Sequence, residues 1–175
     1  MMRFTAASRP RGVPIHAAAF ALLAAAAGCA DRTGGDAAAG RALADTLSAR
    51  IAEAYDFTRP DVVNRMMSLY PDSGRVVSAS GGYIMTAPDS LRQGLADFWA
   101  NVGENMQDPV WRWNDVYVDR LADDAAVMTG TWSIEHTAPT GRPHTIRGAW
   151  TAVFRRMDGE WKIVQEHLSV PPVAQ

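Results

Sequence analysis

Between Ala126 and Ser169 the chain reads as three strands in succession: AVMTGTWSIEH, HTIRGAWTAVFRR and EWKIVQEHLS. Each run is rich in Val, Ile, Thr, Trp and Phe, the residues that fit a pleated, half-buried surface. The breaks carry turn chemistry. Pro139-Thr140-Gly141 separates the first two runs, and Asp158-Gly159 separates the second from the third. Asp-Gly tolerates the positive φ of a two-residue hairpin. The stretch therefore predicts an antiparallel meander, and the rest of the chain must cover one face of it.

A fourth strand precedes the meander. In PVWRWNDVYVDRL, Pro109 to Leu121, strict alternation puts Trp111, Trp113, Asp115, Tyr117 and Asp119 on one face. Val110, Arg112, Asn114, Val116 and Val118 take the other. Asp123-Asp124 forms the turn between this strand and the next. Upstream, Arg41–Phe57 carries Leu43, Leu47, Ile51, Ala54 and Tyr55 at helical spacing, an amphipathic helix. Thr58 is a candidate cap for a second short helix, with Pro60 in its first turn and Val62, Val63, Met66, Met67, Leu69 and Tyr70 along it. Arg75–Ser80 reads as a short strand, Gly81-Gly82 as a turn into Tyr83-Ile84-Met85. A third helix, Ser90–Val102, buries Leu91, Leu95, Phe98 and Trp99. Helices set against one face of a long-stranded antiparallel sheet make an α+β domain. With twisted strands the sheet curls into a cone with a pocket on its concave side.

The start of the chain reads as an address. Arg3, Arg9 and Arg11 precede an uncharged, alanine-rich run from Val13 to Ala27. That run is short for a membrane span but suits a secretory signal. Small residues ahead of Cys29, the only Cys, resemble a bacterial lipobox, although Ala26 stands where Leu is commoner. The resemblance implies cleavage before Cys29, lipidation of Cys29 and a membrane-anchored lipoprotein facing the periplasm or cell exterior. The expected organisation is a signal over residues 1–28, a flexible tether over 29–41 and one domain over 42–172. Loss of the first 28 residues removes three Arg and no acid, leaving 14 basic and 19 acidic residues, a formal charge of −5. That balance argues against nucleic acid as a partner.

The order of elements resembles the nuclear-transport-factor-2-like superfamily, in particular its SnoaL-like, ketosteroid isomerase-like and calcium/calmodulin-dependent kinase II association-domain branches. Three pieces carry the likeness: DVVNRMMSLYPDSGRVVSASGG, LADDAAVMTGTW and the ending FRRMDGEWKIVQEHLS. With the helix that precedes the first piece, the likeness covers about Ala42 to Ser169. The resemblance implies a cystatin-like α+β cone, a curved antiparallel sheet wrapped on N-terminal helices, that pairs as a homodimer. It leaves function open, because this scaffold hosts isomerases, cyclases, dehydratases and non-catalytic oligomerising domains alike.

Candidate chemistry is sparse. The strand pair RVVSASGGYIM holds no acid, so the isomerase base has no counterpart there. By the likeness to the association domain, Trp150, Ala152 and Phe154 face inward, as do Val164, Glu166 and Leu168, with His167 outward. The arginines of that domain's pocket fall on Ala152 and Leu168, so its acid-binding chemistry is absent. An inward Glu166 is the candidate general acid or base, and Tyr55 a candidate phenol donor. The structural alternative pairs Glu166 with Arg147, and this is the preferred reading. His136, His144 and His167 lack a compact spacing, so no metal site is expected. No phosphate loop or dinucleotide fingerprint is present, and no cofactor is expected.

Six Trp are the main compositional excess. One reading makes them core. Another lines a pocket for a small apolar ligand with Tyr83, Trp99, Trp113, Trp132, Trp150 and Glu166. A third places Trp111 in a dimer interface on the outer sheet face. The sequence favours a ligand- or partner-binding module over an enzyme. The alternative is a small isomerase, dehydratase or cyclase using Glu166.

Overall fold

The computed structural model describes residues 30–171, with side chains from residue 38 onward. Three helices lead: α1 (Ala30–Ala54), α2 (Val62–Met67) and α3 (Pro88–Asn101), with the short strands β1 (Val77–Ser80) and β2 (Tyr83–Met85) between α2 and α3. A single 3-10 turn, Gly103–Asn105, leads into β3 (Gln107–Ala122), β4 (Ala125–Thr137), β5 (Pro143–Met157) and β6 (Glu160–Ser169). The strands form one sheet in the order β2-β1-β6-β5-β4-β3. All neighbours are antiparallel except β1 and β6, which run parallel. The fold is α+β, with a curved, unclosed sheet and the helices on one face. Among the described residues, no helix is long and apolar enough to cross a membrane.

The turns behave as their chemistry requires. Asp158 and Gly159 both take positive φ, 51° and 86°, the hallmark of the tight hairpin their sequence predicts. Gly81 and Gly82 do the same between β1 and β2.

Several local expectations change. α1 begins at Ala30, inside the stretch read as a tether; alanine propensity supports it only from Ala37 onward, not over Gly34-Gly35. Thr58 does not cap α2. Its hydroxyl donates to Asp56 Oδ1 at 2.6 Å in the preceding turn, and Asp61 takes the N-cap position with φ 64°. β3 does not alternate strictly. Trp113 sits opposite Trp132 and Asp115 opposite Thr131, so Asn114 is an extra residue in a β-bulge. The bulge moves the pattern by one place. Trp111 and Trp113 face the helices, but beyond the bulge Val116 and Val118 take that side, and Tyr117 is 68% exposed. A second irregularity lies in β6. Phe154 pairs with Ile163 and Val153 with Gln165, so Ile163, not Val164, shares the inner face with Glu166 and Leu168.

The core joins the helices to this bulged sheet. Leu47 and Ile51 of α1, Met66 of α2, Phe154 of β5 and Ile163 of β6 are almost fully buried. Trp113 donates its indole N–H to the Ser48 carbonyl of α1 at 3.2 Å. The ring matters more than that bond. An aromatic side chain buries about 150–250 Å², worth roughly 4–6 kcal/mol at ~25 cal/mol per Å², against about 1 kcal/mol for a hydrogen bond. Two glycines make the seats for these rings. A Cβ on Gly130 would come within 3.0 Å of the Trp113 ring, and one on Gly148 within 2.8 Å of the Trp132 ring.

Candidate ligand cavity

α3 crosses the concave face without sealing it. A cavity of about 290 Å³ lies between Leu91, Leu95 and Phe98 of α3 and Trp111, Trp132, Ile134, Ile146 and Leu168 of the sheet. Tyr55 at the end of α1 and Met66 of α2 close its inner end. A larger groove of about 720 Å³ runs between α1 and the outer end of β3, over Val116–Asp123. That groove is shallower and holds no buried polar side chain. The deeper cavity holds two, Ser78 and Glu166, and it is the better candidate.

The ionisable one of the two is Glu166, only 4% exposed. The β6 bulge puts it on the inner face, opposite Ala152 of β5 and Ser78 of β1. Its Oε1 accepts hydrogen bonds from Ser78 Oγ at 2.7 Å and from the Tyr70 hydroxyl at 2.9 Å. Its Oε2 has no hydrogen-bond partner. Among the described residues, no Lys, Arg or His lines the cavity. Burial pushes the carboxyl above its ordinary value. The hydrogen bonds from Ser78 and then Tyr70 work against that rise, and the Trp150 indole N–H beside the carboxyl works against it least. Trp150 Nε1 forms no full hydrogen bond of its own. Tyr55 is pushed well up, first by burial and then by the neighbouring Glu166 charge, with a hydrogen bond to Tyr70 opposing. Tyr70 moves in the same direction for the same leading cause. At neutral pH both phenols stay protonated, so they are donors and not bases.

The preferred pairing of Glu166 with Arg147 is overturned. Arg147 lies on β5 opposite Ser133 and is exposed, because β6 pairs with β5 five residues further on. The partner of Glu166 is instead Ser78, brought in by the parallel β1–β6 pairing.

The aromatic residues divide. Trp132 and Tyr55 are on the cavity wall. Trp111 joins them there and is not on the outer sheet face, since it lies on the inner side before the β3 bulge. Trp111 and Trp132 stack at 4.9 Å and 14°, and the Tyr55 ring centre lies 4.4 Å from that of Trp111. Trp113 and Trp150 stack at 5.7 Å and 4° away from the cavity wall. Trp99 packs on Phe57, with its ring where a Cβ on Gly103 would have to go. Tyr83 is 78% exposed on the outermost strand β2 and is not on the wall of this cavity. His136 and His144 meet at 5.0 Å across the β4–β5 hairpin, while His167 is exposed on the other face. Among the described residues no three His, Cys, Asp or Glu are grouped to hold a metal. Cys29 lies outside the described residues.

Residues 47–173 match the family model for the SnoaL-like domain. This chain belongs to the SnoaL-like domain family. Its fold is shared with a nuclear transport factor 2-like superfamily protein from Salmonella enterica, at TM-score 0.59 and 14% identity over 77% of this chain and 95% of that one. It is also shared with the association domain of C. elegans calcium/calmodulin-dependent kinase II, at 0.58 and 13% over 77% and 98%. A hexachlorocyclohexane dehydrochlorinase from Novosphingobium barchaimii superposes at 0.56 and 18% over 78% and 90%. No curated protein matches the sequence. In this SnoaL-like domain Ser78 and Tyr70 join the site without any signal in the sequence read alone, whereas Trp111 shares its face with Trp113 as the alternation predicts. The parallel strand pair that brings Ser78 in is not a local pattern.

Proposed function

We propose that the cavity binds one small, mainly apolar molecule and that Glu166 is the polar group that orients it. One observation carries this reading: a carboxyl 4% exposed, with no cation beside it, stands in the wall of an otherwise apolar chamber of about 290 Å³. Such a group costs stability wherever it has no partner, so it is better explained by a ligand than by the fold. The test is extraction of the full-length protein from its host, followed by mass spectrometry. Leu168→Phe, which fills the chamber, is the control. A small molecule that travels with the wild type and not with the variant supports the reading. No such molecule, and no thermal shift with single- and double-ring apolar compounds, overturns it.

A second reading is favoured by the raised, unpaired carboxyl. Glu166 would act as general acid or base in an isomerisation, dehydration or cyclisation, with Tyr55 as donor. A solved neighbour named as a hexachlorocyclohexane dehydrochlorinase supports this class of chemistry. Glu166→Gln would then abolish turnover and leave binding in place. Unchanged turnover would eliminate this reading and leave the first intact.

Two further properties belong to the same proposal. The domain pairs as a homodimer, a reading supported by the association-domain neighbour and by Tyr117, exposed on the outer face; sedimentation of a single monomeric species would contradict it. The chain is exported and held at a membrane through lipid on Cys29, a reading supported only by the resemblance of Leu22–Cys29 to a lipobox. Metabolic labelling with an alkyne fatty acid, present in wild type and absent in Cys29→Ser, tests that.

A further inference from the structure

Building on the ligand-binding reading above, we infer that the cavity selects a monocationic ligand, a hydrophobic ammonium compound, over neutral and anionic molecules of the same shape. The wall supplies the two features that recognise such a cation. The first is a set of aromatic surfaces: Tyr55, Phe98, Trp111 and Trp132 all line the chamber. Ring faces attract a cation that has shed its water, and Trp does so most strongly. The second is Glu166, the only carboxyl on the wall among the described residues.

Among the described residues, none beside Glu166 supplies an internal counter-ion. Tyr55 comes from α1, Tyr70 from the segment after α2, Ser78 from β1 and Trp150 from β5. None of these carries a positive charge. The Ser78 and Tyr70 hydroxyls both donate to Oε1, an arrangement that favours a carboxylate, while Oε2 accepts no full hydrogen bond from the described residues and has only the Trp150 indole N–H nearby. The protein thus organises the anion and leaves the cation to be supplied. In so apolar a chamber a charge pair is weakly screened, so the arriving cation gains more than it would at the surface. An anionic ligand would meet the opposite field. The indole N–H groups of Trp111 and Trp132 are also unpartnered. They can donate to a neutral oxygen elsewhere on the ligand, but they do not offset two negative charges.

The test uses three probes of like shape on the full-length protein: benzyltrimethylammonium, its uncharged analogue neopentylbenzene, and phenylacetate. Binding is followed by tryptophan fluorescence and confirmed calorimetrically. We expect the ammonium to bind at least tenfold more tightly than neopentylbenzene, and phenylacetate to bind weakest. In Glu166→Gln the preference should collapse to less than threefold, with neopentylbenzene little changed. The comparison of probes in the wild type needs no variant, so a Glu166→Gln protein that fails to fold leaves the test valid. If neopentylbenzene or phenylacetate binds as tightly as the ammonium, the cation inference is overturned and the cavity remains a ligand site. If none of the three binds, the ligand-binding reading falls, and this inference with it.

Discussion

The molecule contains two tryptophan stacks of the same make on the same sheet, with different fates. Trp113 and Trp150 lie flat against each other and are closed over by α1, to which Trp113 is hydrogen-bonded through Ser48. Trp111 and Trp132 lie equally flat, yet they form the wall of a cavity and both their indole N–H groups are unpartnered. The difference lies in what covers them. α1 packs closely against β3, whereas α3 spans the concave face from a distance. The same aromatic pair is core in one place and binding surface in the other. Composition alone cannot separate the two.

That contrast can be broken by mutation. The largest effect should come from the closed stack. Trp150→Ala removes a fully buried ring, and we expect a loss of about 3–5 kcal/mol in urea unfolding with the slope unchanged. A loss below 1 kcal/mol would mean that this stack is as loosely held as the other. Gly130→Ala comes next. Its Cβ would lie 2.6 Å from the Asp115 carbonyl oxygen and 3.0 Å from the Trp113 ring, so about 1–3 kcal/mol of overpacking strain is expected.

The open stack should respond through pH and ligand instead. Burial holds the Glu166 carboxyl above its ordinary value of 4.5, so the folded protein binds this proton more tightly than the unfolded chain does. Its contribution is full below the ordinary value, falls as pH rises toward the raised value, and is level beyond. Each unit between the two values is about 1.4 kcal/mol. Comparison of wild type with Glu166→Gln across that window should show the decline only in the wild type; parallel curves would contradict it. Leu168→Phe should shift stability by less than about 1 kcal/mol, since space is available for the ring, yet weaken binding of any cavity ligand tenfold or more. The smallest change is expected from Glu160→Gln. Its contacts with Lys162 and Arg50 hold its carboxyl below the ordinary value, but it is fully exposed and water screens the pair. A change in midpoint beyond experimental error would show that this surface cluster does more than it should.

Most of the fold was legible in the sequence. The three-strand meander, its Asp-Gly hairpin and the three helices follow from periodicity and turn chemistry. The α+β class follows from the order of elements and from the family resemblance. The site was legible only in part. The inward placement of Glu166 and Leu168 was anticipated, and Tyr55 and Trp132 were named as candidates. The faces of Tyr117 and Val164 were not, because one extra residue at each bulge reverses a period-two pattern and no residue type announces it. Ser78 reached the carboxyl through a parallel pairing of strands 88 residues apart. A short strand such as SAS carries no mark of its distant partner. Tyr83 was misplaced for the opposite reason: an aromatic beside a turn looks like a pocket residue until β2 proves to be the outermost strand.

The central claim is that Glu166 is a buried, titratable acid in the wall of a ligand cavity, not a surface or ion-paired carboxylate. The most direct test is an NMR pH titration of the protein carrying carbon-13 in its glutamate carboxyls, with the signal assigned by its loss in Glu166→Gln. The account predicts a Glu166 midpoint clearly above the ordinary 4.5, apart from those of the exposed glutamates. A midpoint at or below that value would show a carboxyl already satisfied by the protein, and the cavity would lose the observation on which the ligand reading rests.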